Sequence, residues 1–99
     1  MTLIDRNIDT IRSLCKKHKV AKLFVFGSIL TDHFRKNSDI DFIVDFQNME
    51  LYDYADNYFE FKAALENIFK RKIDLLENQA INNPYLRQSI DSQKQIVYG

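Results

Sequence analysis

Five residues carry the reactive chemistry of this chain, and four of them lie in one stretch, VFGSILTDHFRKNSDIDFIVDF. Gly27 and Ser28 close a run of β-branched and aromatic residues; Asp39 and Asp41 open the next run ten residues later. Glycine permits a tight turn and the close approach of a ligand, and Ser28 is suited to cap a following short helix, whose free N–H groups make a place for an anion. The serine hydroxyl adds a donor for the oxygens of a nucleoside triphosphate. Two aspartates at i and i+2 on a strand project from one face, with Cα atoms about 6 to 7 Å apart. Their mutual repulsion is relieved by Mg²⁺ or Mn²⁺, hard cations that take carboxylate oxygens and leave positions for phosphate and water.

The fifth residue is Asp74, in KIDLLE, an acid inside an otherwise apolar run. If that run is a strand beside the one carrying Asp39 and Asp41, its carboxylate reaches the same place, and three acids suffice for a two-metal site. Asp39 and Asp41 would then bridge both ions and Asp74 would hold the second, activating the attacking hydroxyl or accepting its proton. Asp45, further along the same face, is peripheral.

These residues need a scaffold. Ile4, Ile8, Ile11 and Cys15 recur at helical spacing and predict one amphipathic first helix, with Thr2 and Asp5 placed as a capping box. Lys16, Lys17, His18 and Lys19 gather at its far end, where cations on a solvated face complement the helix dipole. Val20–Phe26 reads as a buried central strand. In Ile40–Phe46 the apolar Ile40, Phe42 and Val44 alternate with Asp41, Ile43 and Asp45. From about Glu50 to Lys70 the residues Leu51, Tyr54, Ala55, Tyr58, Phe61, Leu65, Ile68 and Phe69 keep a period near 3.6, which predicts the longest helix with its aromatic stripe in the core. Lys72–Glu77 is a third strand. Asn83-Pro84 starts a last helix through Leu86 and Ile90, to which Val97 also conforms, although Gln95–Gly99 is equally readable as an edge strand. The layout is α/β (α+β), a small mixed sheet of three to four strands flanked by helices.

Ninety-nine residues match one small domain, residues 1–99. Fourteen basic and fourteen acidic side chains cancel, which disfavours nucleic acid as a direct partner. A single cysteine excludes an internal disulfide and a cysteine-based zinc site, in keeping with a reducing cytoplasm. No run has membrane-spanning length and the first twenty residues lack the pattern of an export signal, so no membrane partner is expected.

Gly-Ser, ten residues, Asp-x-Asp and a later strand acid in Lys72-Ile73-Asp74-Leu75-Leu76 together resemble the DNA polymerase β-like nucleotidyltransferase superfamily. At this length the chain is similar to its minimal nucleotidyltransferases, over nearly all of its residues. The resemblance implies that Gly27 and Ser28 contact the nucleotide phosphates and that Asp39, Asp41 and Asp74 are the metal-binding, catalytic triad. It implies attack of a hydroxyl on the α-phosphate of ATP with pyrophosphate leaving. It also implies an antitoxin role: many such proteins pair with a HEPN ribonuclease toxin, and some transfer AMP to a tyrosine of that partner.

Many relatives carry Arg-Gly shortly after Gly-Ser, where this chain has Thr31-Asp32. The cation lost there could be replaced by Arg35 or Lys36, although basic residues in a loop are more often simply solvated, and His33 is a further, weaker candidate. Lys70 and Arg71 suit a helix C-terminus, and Lys72 could approach the nucleotide or a partner. A chain this small has little surface for enclosing a small acceptor, which favours an acceptor on another protein. The alternatives are an antitoxin that binds without catalysis and a nucleotidyltransferase acting on a small molecule such as an aminoglycoside.

Overall fold

The computed structural model describes residues 2–99, without the side chain of Thr2, so the Thr2–Asp5 capping box lies outside the described residues. The first helical stretch is two helices, α1 (Thr2–Arg6) and α2 (Ile8–Lys17). Asn7 interrupts them. Its side-chain amide donates to Leu3 O at 2.9 Å and its N–H to Ile4 O at 3.1 Å, an asparagine competing locally with the helical ladder. The apolar stripe nonetheless continues through the break, with Ile4, Ile11 and Cys15 buried.

At the end of α2 the basic run divides. Lys16, Lys17 and Lys19 are exposed, but His18 is buried against the Phe61 ring at 5.6 Å, and Asn57 donates to its carbonyl at 2.7 Å. Lys19 takes φ +57°, the left-handed turn that redirects the chain into β1 (Val20–Phe26).

Four strands form one sheet in the order β3-β2-β1-β4. β2 (Ile40–Phe46) runs antiparallel to β1 and parallel to β3 (Ile73–Glu77), and β4 (Gln95–Tyr98) runs antiparallel on the other side of β1. The sheet is therefore mixed, and the two readings of Gln95–Gly99 resolve in favour of the edge strand. Val97 is buried there. The parallel β2–β3 pair requires a crossover, which α3 (Leu51–Phe69) supplies.

One face of the sheet meets α2 and α3 in a cluster that includes Leu23, Val25, Ile40, Phe42, Phe61 and Leu65. The α3 stripe is only partly core. Phe61, Leu65 and Phe69 are buried, and Tyr54, Tyr58 and Ile68 half-buried, whereas Leu51 and Ala55 face solvent. Burial falls off along the stripe toward the first turns of α3, where Tyr54 still meets Phe46 and donates to Glu77 Oε2 but Leu51 is 89% exposed.

On the opposite face, α4 (Pro84–Gln93) is capped by Asn83, whose side-chain oxygen accepts from the N–H groups of Tyr85 and Leu86. Lys94, just after α4, places its ammonium 4.5 Å from the centre of the Phe24 ring. That ring sits opposite Ile43, and Ile43 and Ile90 are buried outside the main cluster. The helix thus lies toward the rear of this face and leaves its other end to the acids.

Candidate active site

β1 delivers the first two residues of interest at its C-terminal end. Gly27–Leu30 is a single 3₁₀ turn entered through Phe26 in the capping position, so Ser28 lies inside the turn and not at its cap. The Ser28 carbonyl accepts from Thr31 N–H at 2.9 Å and from Thr31 Oγ1 at 2.8 Å, while its own hydroxyl has no partner among the described residues. Thr31 closes this turn, and its hydroxyl oxygen also accepts from His33 N–H at 3.1 Å. The exposed His33 and Asp32 complete the loop.

Gly27 has φ +81°, and a Cβ there would overlap the Asp41 carboxylate oxygen Oδ2. The group that approaches the glycine is therefore the chain's own acid. β1–β2 pairing sets Asp41 opposite Phe26, and β2–β3 pairing sets Asp74 opposite Asp41. The adjacency on which the role of Asp74 depended is present. Asp39 stands one residue before β2, with Lys72 Nζ at 3.9 Å, an exposed contact of little energetic weight.

Burial pushes the Asp41 carboxyl up to about 6, with hydrogen bonding to Asp74 and the charges of Asp74 and Asp39 adding to the rise. Hard carboxylate oxygens under mutual repulsion suit a divalent cation such as Mg²⁺. Among the described residues, no group of three or more acidic, histidine or cysteine side chains is already converged for a metal ion. Asp45 is accounted for otherwise, accepting from Asn78 Nδ2 at 3.2 Å.

The remaining basic candidates go elsewhere. Arg71 does not serve the end of α3. It stacks over the Phe34 ring at 4.7 Å and donates to the carbonyls of Arg35 and Ser38 at 3.0 Å each, pinning the loop before Asp39. Arg35 and Lys36 line a cleft with it, and neither Asp39, Asp41, Asp74, Gly27 nor Ser28 lines that cleft. Sequence reasoning missed the Arg71–Phe34 stack, for which residues 37 apart carry no local signal.

The turn at the end of β1 thus stands beside acids carried by two neighbouring strands, β2 and β3. The comparisons narrow this: residues 9–99 match the family model for polymerase beta, nucleotidyltransferase, and the chain belongs to that family. It is a nucleotidyltransferase. A Methanocaldococcus jannaschii relative named "Putative protein adenylyltransferase MJ0128" is 37% identical over 78 residues, covering 79% of this chain and 76% of the relative. A solved structure described as a "putative minimal nucleotidyltransferase" shares the fold, with TM-score 0.74 and 24% identity over 92% of this chain and 89% of its own. So does a structure of tri-AMPylated Shewanella oneidensis HEPN toxin in complex with MNT antitoxin, matched with TM-score 0.66 and 19% identity over 97% of this chain and 72% of that one. Among the described residues no helix is long and apolar enough to cross a membrane.

Proposed function

We propose that the chain is an antitoxin that transfers AMP from ATP to a hydroxyl, a tyrosine, of a HEPN-type toxin, acting in the cytoplasm. The observation that carries the reading is the row Gly27, Asp41, Asp74, in which a backbone turn and acids of two further strands meet at one end of the sheet. In this reading Gly27 N–H and the unengaged Ser28 hydroxyl hold the triphosphate. Asp39, Asp41 and Asp74 would hold Mg²⁺ or Mn²⁺, which when bound supplies positive charge to the phosphates and lowers the pKa of a nearby hydroxyl. Asp74 accepts the proton of the attacking hydroxyl as its oxygen bonds to the α-phosphorus and pyrophosphate departs.

The acceptor is read as a protein because the acids stand at an open end of the sheet: Asp74 is exposed, and Asp39 and Asp41 are half-buried. The M. jannaschii relative's name and the AMPylated toxin complex support the same class of acceptor. The test is to incubate the protein with labelled ATP, Mg²⁺ and the product of the neighbouring gene, and to map the label by mass spectrometry. The expected result is an AMP adduct on a partner tyrosine that disappears with Asp39→Asn or Asp41→Asn. A tight complex with an unlabelled partner would instead show an antitoxin that works by cover alone.

A further inference from the structure

The loop that leads to Asp39 forms, with α1 and Arg71, a cleft of about 480 Å³ that the proposed reaction does not use. Its charged lining residues are Arg6, Arg35, Lys36 and Arg71, four cations and no acid, in a chain whose total charge is zero. None of the four belongs to an ion pair among the described residues. Arg71 is held in place by its stack on Phe34 and its bonds to two carbonyls, neutral partners that leave its charge uncompensated, and its buried Nε has no hydrogen-bond partner. The loop is fastened as well: Ser38 Oγ accepts from Arg35 N–H at 2.9 Å, and Arg35 O accepts from Ser38 N–H at 3.1 Å. Leu3, Ile29 and Phe34 supply an apolar wall.

We propose that this cleft is a second ligand site, separate from the acidic edge, which binds a nucleoside phosphate without a metal ion. Fixed guanidinium forks match phosphate oxygens, and with no carboxylate in the lining no cation is needed to bridge them. The apolar wall and a volume within the ordinary range of small-molecule sites fit a base and ribose better than inorganic phosphate alone. The small concave shape and the absence of net positive charge argue against a nucleic-acid chain. Ile29 belongs to the same 3₁₀ turn as Gly27 and Ser28, so an occupant would touch the turn that Asp41 also approaches. This inference goes beyond the proposed transfer reaction and does not depend on it.

The test is equilibrium dialysis of labelled ADP against the full chain in EDTA, with no partner protein present. Binding is expected to weaken as salt rises and to fall about tenfold or more in Arg6→Ala/Lys36→Ala, the loss of two charged contacts. Both residues are exposed, so an unchanged melting temperature will establish that this variant folds. Asp39→Asn/Asp41→Asn should keep the site, and pyrophosphate should bind more weakly than ADP. The proposal is overturned by no ADP binding in EDTA, by binding indifferent to Arg6→Ala/Lys36→Ala, by pyrophosphate binding as tightly as ADP, or by a short RNA displacing ADP. None of these readouts involves AMP transfer, so this inference and the proposed function fail separately.

Discussion

At the scale of single residues, Asp41 and Gly27 form one device. The carboxylate occupies the space a side chain at Gly27 would take, and φ +81° disfavours any other residue there. Gly27→Ala should therefore displace Asp41 and abolish transfer while a folded protein remains. Residual activity within about threefold of the parent, measured with labelled ATP, would show that the close approach is dispensable. The pH dependence of stability follows from the same residue. In the folded, metal-free chain the Asp41 carboxyl is held up to about 6 against an ordinary 3.8, so folding binds a proton between those values. Its contribution is fully present below about 4 and is lost as pH rises through about 6. Denaturant midpoints taken from pH 4 to 7 in EDTA should show this loss in the parent and its absence in Asp41→Asn.

Among the elements, α3 separates what periodicity can see from what it cannot. Phe61 is fully buried and touches both His18 and Phe46, whereas Tyr52 and Phe59 are 91% and 63% exposed on the same helix. Phe61→Ala should cost about 3–5 kcal/mol in chemical denaturation. Tyr52→Ser and Phe59→Ser should each stay within about 0.5 kcal/mol of the parent, apart from small losses of helix propensity. The strands were legible at nearly their true limits, because β-branched and aromatic runs broken by Gly27 and flanked by polar loops leave few other readings. The break at Asn7 was not, since only the competition of one amide with the helical ladder marks it. The burial of His18 was hidden too: in sequence it is one more basic residue, and only the approach of Asn57 and Phe61 from α3 encloses it.

Across the whole molecule, the sheet converts sequence separation into contact. Gly27 and Asp74 are 47 residues apart and meet through Asp41 because β2 lies between β1 and β3. If these acids take Mg²⁺, millimolar Mg²⁺ should raise the melting temperature of the parent and leave Asp39→Asn/Asp41→Asn unmoved. An equal rise in both would place the ion elsewhere. The amino-acid sequence by itself determined β1, β2, β3 and α3, the two-residue spacing of the acids and the glycine before the turn, because these follow from local propensity and periodicity. Tertiary structure alone decided that Asp74 stands beside Asp41, that the close neighbour of Gly27 is a carboxylate, and that Arg71 turns from the end of α3 to the Phe34 loop. Each depends on which strand or loop lies next to which, a choice made by burying one shared core and not by any local signal.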